Sequence, residues 1–195
     1  MGTHQSIRAK HHVPWLKDRA LNVYSQFGED GLIATVFQRI GETNRQCFEV
    51  GAADGLFFSN TLRFREQGWK ACLIESQQDR YQALVNKYGQ DSYCVHSTCT
   101  DLNKPLKDAG FNRKCDFGVI DIDGQDFYLW EDLTEFQPRV MLVEIGTRGT
   151  MEPVPERFGE GQAGLDAIKA LGESKGYTLV AETFCNALFV DNDEL

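Results

Sequence analysis

The sequence predicts an α/β protein built on one mostly parallel sheet with helices on both faces. Three observations predict it. Short apolar runs alternate with segments of helical length, most of them closed by a glycine. Several runs are apolar at consecutive positions rather than at every second one, the mark of strands covered on both sides. The last two runs are separated by too few residues for a crossover helix, so the sheet must end in an antiparallel hairpin. With 195 residues, 42% of them hydrophobic, the chain carries enough apolar material for the core of one domain.

Residues 1–23 mix His, Lys, Arg and Pro without periodicity and read as an N-terminal arm, loose and partly disordered, leaving 24–195 as the domain. From Gly28, Leu32, Ile33, Val36, Phe37 and Ile40 fall on one helical face, and Gly41 is a stop. Strands are then expected at Gln46 to Val50, Ala71 to Ile74 and Ser92 to His96, with helices at about Ser59 to Gln67 and Asp79 to Tyr88 between them. The second half continues with a strand at Phe117 to Ile122, a helix near Phe127 to Phe136 and a strand at Val140 to Ile145. Leu165, Ile168, Ala170 and Leu171 mark the last helix, closed by Gly172 or Gly176. Thr178 to Phe184 and Ala187 to Val190 form the hairpin, which brings the sheet to seven strands.

Charge and composition narrow the function. Lys and Arg number 20 against 29 Asp and Glu, a net charge of −9, which repels a nucleic-acid backbone and predicts no nucleic-acid partner. No run approaches the roughly 20 apolar residues of a bilayer span. The opening MGTHQSIRAKHHVPW lacks the apolar centre of a signal peptide. The expectation is a cytoplasmic protein with no membrane partner. The six cysteines are dispersed and form no CxxC pair, which predicts reduced, packed thiols.

The most informative segment is Glu49-Val50-Gly51-Ala52-Ala53-Asp54-Gly55, which follows an apolar strand. Glycines at 51 and 55 let the backbone turn tightly and approach a ligand closely. Glu49 and Asp54 repel a diphosphate, so the loop suits a cationic cofactor such as S-adenosylmethionine, whose amino group Glu49 would meet. Glu75 ends the next strand about 20 residues on, where an acid grips a ribose diol. Thr98 to Asp101 follows the third strand, and Asp101 is either a contact to the adenine amino group or a helix cap.

These residues also carry a family resemblance. Tyr24-Ser25-Gln26-Phe27-Gly28-Glu29-Asp30-Gly31, the FEVGAADG segment, Phe58-Ser59-Asn60-Thr61, Gly68-Trp69-Lys70 and Leu73-Ile74-Glu75 stand in the order found in FkbM-type methyltransferases, and the chain resembles them over about residues 24–190. The resemblance implies a Rossmann-like class I methyltransferase fold, S-adenosyl-L-methionine as donor and O-methylation of a hydroxyl on a carbohydrate or other small acceptor. Carried over by position, it implies cofactor contacts from Glu49, Gly51, Asp54, Gly55, Asn60 and Glu75, with Ala53, Ser76, Thr100 and Asp101 beside them. Gln26, Glu29 and Asp30 fall on an upstream motif near the cofactor's tail.

The chemistry is expected at Val119-Ile120-Asp121-Ile122-Asp123-Gly124. Strand alternation would send Asp121 and Asp123 to one side beyond the carboxyl edge, and Glu144 ends the adjacent strand. Asp121 would position the cofactor and Asp123 would accept the acceptor's proton as general base. A divalent ion on Asp121, Asp123 and Glu144 is the competing, less favoured arrangement. Family members commonly have Asp-Val-Glu-Gly where this chain has Asp-Ile-Asp-Gly. His96 reads as a surface histidine, and Phe127, Tyr128 and Trp130 as helix packing. The long Gly- and Pro-rich stretch Thr147 to Gly164 reads as an acceptor-recognition loop with Arg148 and Arg157 as contacts. A homodimer would complete a site for which 195 residues leave little cover. A non-catalytic cofactor-binding or scaffold protein with the same fold is the alternative function, and a nicotinamide enzyme is disfavoured by the acidic loop and the hairpin ending.

Overall fold

The computed structural model describes residues 9–98, 101–146, 154, 156–157 and 159–195. One sheet of eight strands runs through the described residues: β1 Lys10–His11, β2 Gln46–Val50, β3 Lys70–Glu75, β4 Ser92–His96, β5 Phe117–Ile120, β6 Val140–Glu144, β7 Tyr177–Glu182 and β8 Asn186–Asp191. Their order across the sheet is β1-β7-β8-β6-β5-β2-β3-β4. β2 pairs in parallel with both β3 and β5, and the parallel series extends to β4 on one side and β6 on the other. β8 lies antiparallel between β6 and β7, the hairpin the short final connection requires.

The doubly apolar strands are explained by what covers them. Phe48, Val50, Cys72, Ile74, Ile120, Met141 and Val143 face a core closed by Leu106 of α4 (Asn103–Asp108), Leu129 and Trp130 of α5 (Asp126–Asp132) and Ile168 of α6 (Leu165–Ser174). Cys47, Leu73, Phe117, Val119 and Leu142 face the opposite core, closed by Leu32, Ile33, Val36 and Phe37 of α1 (Glu29–Ile40), Phe64 of α2 (Leu62–Arg65) and Leu84 of α3 (Gln78–Tyr88). Alternate residues along each strand thus feed two separate cores. Each of the four apolar side chains that α1 buries contributes about 1.5–3 kcal/mol by leaving water.

The structure corrects the expectation in five places. The sheet has eight strands rather than seven, because Lys10–His11 add a short antiparallel edge to β7, with Lys10 paired to Glu182 at 3.0 Å. Residues 9–23, expected as a loose arm, are tied down: Leu16 is buried in a short 3-10 turn, and the amide of Gly31 donates to the carbonyl of Leu21. The helix expected over Ser59 to Gln67 shrinks to Leu62–Arg65, since Ser59, Asn60 and Thr61 are engaged with Glu49. The helix near Phe127 to Phe136 is likewise shorter, Asp126–Asp132, and α4 is an addition.

Candidate functional site

Because β2, β3, β5 and β6 run in parallel, their carboxyl ends come out at one edge of the sheet, and a cavity of about 810 Å³ opens there. Of the expected site residues it is lined by Gln26, Glu49, Gly51, Asn60, Glu75, Ser76, Asp121, Asp123 and Glu144. Among the described residues seven carboxyl groups line it, against the two guanidinium groups of Arg80 and Arg157. Such a lining repels phosphates and attracts cations.

Glu49 is the penultimate residue of β2 and is almost fully buried. One carboxylate oxygen accepts the Asn60 amide at 2.8 Å, and the other accepts the hydroxyls of Ser59 at 2.7 Å and Thr61 at 2.6 Å. The acid therefore folds the 59–61 loop back over the strand end. Asn60 ends with its side-chain carbonyl buried and without a partner among the described residues, an acceptor at the cavity wall that awaits a donor. Glu75, at the end of β3, is held by the amides of Ala53 at 2.8 Å and Gln77 at 2.7 Å, one on each oxygen. Each oxygen keeps further accepting capacity, and the residue lines the cavity.

The two glycines serve the protein itself. Gly51 has φ +79°, and a Cβ there would lie 1.8 Å from the carbonyl oxygen of Asp121, so the residue is small because β2 and β5 converge. Gly55 has φ +73°, and a Cβ would strike Leu84 and Tyr88 of α3 at 2.6–2.8 Å. Gly55, Ala53 and Asp54 do not line the cavity, contrary to expectation. Ala53 contributes its amide to Glu75, and Asp54 accepts the amides of Phe57 at 2.9 Å and Leu56 at 3.0 Å, bonds that hold its carboxyl below the usual range.

Glu29 and Asp30 are also displaced from the cavity. Both are buried, and both organise backbone. One oxygen of Asp30 accepts the amides of Val23, Tyr24 and Ser25 and the Ser25 hydroxyl, all at 2.7–2.8 Å. Glu29 accepts the Phe27 amide at 2.7 Å and the Thr183 hydroxyl at 2.6 Å. Together they shape the 22–28 loop that delivers Gln26 and Phe27 to the cavity. Asp101 does not line the cavity; it accepts the Asn103 amide at 2.8 Å just before α4, whose N-cap is Leu102 rather than Asp101. Thr100 and Arg148 lie outside the described residues.

The acid cluster differs from its expected form. β5 stops at Ile120, and Asp123 has φ +58°, so strand alternation does not set its direction. The loop is wound instead around Asp126, whose carboxylate accepts the amides of Ile122 at 2.9 Å and Gly124 at 3.0 Å. Sequence reading assigned Asp126 no role, although an acid two residues past Gly124 at a helix start is the pattern of such a turn. Burial pushes Asp126 up to about 6, against the pull of those amides. Glu144 accepts the amide of Asp123 at 2.7 Å. Burial first, and neighbouring negative charge after it, push Asp121 up to about 7 and Glu144 up to about 9. Among the described residues no three His, Cys, Asp or Glu are gathered so as to hold a metal ion, so the competing arrangement on Asp121, Asp123 and Glu144 is not built.

The rim holds residues to which sequence reading gave another role or none; Tyr128, for one, was expected in helix packing. Tyr128 lines the cavity, with the Arg157 guanidinium 4.3 Å above its ring, while Trp130 is core. Arg157, expected to meet an acceptor, pairs with Glu131 at 2.8 Å and with Asp132. Phe27, Phe57, Phe58, Phe184 and Cys185 complete the mouth. His96 lies outside the lining, its Nε2 2.9 Å from the carbonyl oxygen of Ser76 and its ring stacked on Tyr81.

No family model and no curated protein matches the sequence. Solved structures match the fold. The METTL16 MTase domain superposes with a TM-score of 0.55 at 17% identity, over 83% of this chain and 66% of that one. The CMeT domain of the citrinin polyketide synthase gives 0.58 at 10% identity, over 88% and 55%. A magnesium protoporphyrin IX methyltransferase, ChlM from Synechocystis PCC 6803 with SAM bound, gives 0.52 at 11% identity, over 84% and 77%. The chain thus spans less than two thirds of the first two, and it has the Rossmann-like fold of S-adenosylmethionine-dependent methyltransferases.

Proposed function

We propose that this chain is an S-adenosylmethionine-dependent methyltransferase of the FkbM-like kind, acting on a hydroxyl of a carbohydrate or other small acceptor. The observation that carries the reading is an acid-lined cavity of about 810 Å³ at the carboxyl ends of the central strands of this fold. Ligands of open α/β sheets bind at that edge, where the strand order reverses. The residues fit a cationic nucleoside. Glu49 and the unpaired Asn60 carbonyl would receive its ammonium group, and Glu75 its ribose hydroxyls, with Ser76 beside them. Asp121 would face the positive end, where a cation would favour the ionised carboxylate. When bound, the cofactor supplies a methyl group already activated on sulfur, so the protein's task is alignment in a site sheltered from water.

Asp123, exposed at the rim, is the group proposed to take the proton of the acceptor hydroxyl, while Asp121 and Glu144 lie more deeply buried. No divalent ion enters the proposal. The O-methylation and the FkbM-like assignment rest on the motifs read in the sequence.

Titration calorimetry with S-adenosylmethionine and with NAD tests the reading. Binding of the first and not the second is expected, and binding of NAD alone overturns it. Asp123→Asn is expected to lower kcat about a hundredfold with cofactor affinity unchanged. Cofactor binding with no methyl transfer to any hydroxylated acceptor is the outcome the scaffold alternative predicts.

A further inference from the structure

Among the described residues four phenylalanines line the cavity, and three of them are strongly exposed: Phe57 at 67%, Phe58 at 42% and Phe184 at 48%. They form two ring pairs, Phe57 with Phe58 at a centroid separation of 3.8 Å and Phe27 with Phe184 at 5.0 Å. Large apolar side chains gathered at the mouth of a cavity, rather than scattered singly, mark a contact surface.

Their presentation is built rather than incidental. Asp54 holds the amides of Leu56 and Phe57, which fixes the loop that carries the first pair. Glu29 is 1% exposed and joins the second pair's loops, accepting from the Phe27 amide and from the hydroxyl of Thr183, the neighbour of Phe184. The two acids that do not line the cavity thus hold the rings that do.

We infer that the acceptor is an uncharged hydroxylated molecule with an aromatic or hydrocarbon face, seated against Phe27, Phe57, Phe58 and Phe184. The inference rests on the methyltransferase reading and, of the two acceptor classes named there, takes the other small acceptor over the carbohydrate. Phenylalanine offers ring surface and no hydrogen-bonding group, so it rewards an apolar face and leaves sugar hydroxyls unpaired. Among the described residues seven carboxyl groups line the cavity against two guanidinium groups, a balance that repels an anionic acceptor such as a phosphorylated sugar.

The test uses the full chain saturated with S-adenosylhomocysteine and three probes: naphthol, naphthyl phosphate and methyl glucoside. Naphthol is expected to bind at least tenfold more tightly than the other two. The double variant Phe57→Ala, Phe58→Ala and the single variant Phe184→Ala should each weaken naphthol about tenfold, leaving S-adenosylhomocysteine affinity within about twofold. Phe57→Leu and Phe58→Leu keep apolar bulk without the ring and provide the reading if an alanine variant fails to fold. Equal binding of methyl glucoside or naphthyl phosphate, or ring variants that bind naphthol normally, overturns the inference alone. Failure of the unmodified chain to bind S-adenosylhomocysteine overturns the methyltransferase reading beneath it.

Discussion

Asp121 and Glu144 hold protons more tightly in the folded chain than an exposed carboxylate does, because burial and mutual repulsion oppose their ionisation. Between about pH 4 and pH 9 the folded chain therefore binds more protons than the unfolded one, and this cluster makes stability fall as pH rises through that window. Asp121→Asn removes one of the opposed charges. It is expected to stabilise the ligand-free chain by roughly 2 kcal/mol at pH 8 and to have little effect near pH 4, as read by urea unfolding at the two pH values. Unchanged stability at pH 8 would show that the acids do not oppose one another. Gly51 is the opposite case, a residue with no tolerance. Its Cβ would lie 1.8 Å from the carbonyl oxygen of Asp121 at a φ of +79°, so Gly51→Ala must separate β2 from β5. A loss of about 3 kcal/mol or more is expected in the same measurement, and a fully stable alanine variant would refute the close approach.

At the scale of elements, the site is supplied by short loops wound around buried acids. Three such carboxylates do this: Glu49 for residues 59–61, Asp30 for residues 23–25 and Asp126 for residues 122–124. Each satisfies amides that a turn would otherwise leave unpaired in a partly dry place. Asp30→Ala strips the acceptor from three amides at once, and a cost of about 2–4 kcal/mol is expected. Hydrogen exchange should find the amides of Val23, Tyr24 and Ser25 unprotected in that variant, with α1 intact from Leu32 onward. Protection retained at those amides would mean that the loop holds its shape without the carboxylate. Sequence reading recognised the acids but aimed Glu29 and Asp30 at the cofactor, because a motif records that a residue is needed and not which atoms need it.

For the molecule as a whole, one sheet edge gathers Glu49, Glu75, Asp121, Asp123 and Glu144 from four parallel strands and the loops that follow them, and a ligand's charge is felt by all of them together. A cation bound there lowers the carboxyl pKa values, so binding of S-adenosylmethionine is expected to release protons near pH 7. Calorimetry in buffers of different ionisation enthalpy measures that release, and its absence would argue that the cationic end does not face Asp121 and Glu144. The same ligand should raise folding stability by about 2.7 kcal/mol at a hundred times its Kd, read as a rise in Tm.

The sequence by itself determined the layout. β2 and β4 lie over the residues the apolar runs predicted, α1 over its periodic face, and the closing hairpin follows from a connection too short for a helix. It also located the cavity's principal acids, Glu49, Glu75, Asp121 and Glu144, since parallel strand ends and their loops share one edge. Periodicity reports burial along a single element, which is why these were legible. Only the tertiary structure decided the rest. A two-residue edge strand has no period to read, so β1 and the docked segment 9–23 emerge only once β7 offers its edge. Gly51 is required by a carbonyl 70 positions away in the chain, and Glu29 reaches Thr183 across 154. The mouth is lined by phenylalanines from three separate loops. Such contacts depend on how strands register and loops pack, and no local pattern in the chain encodes them.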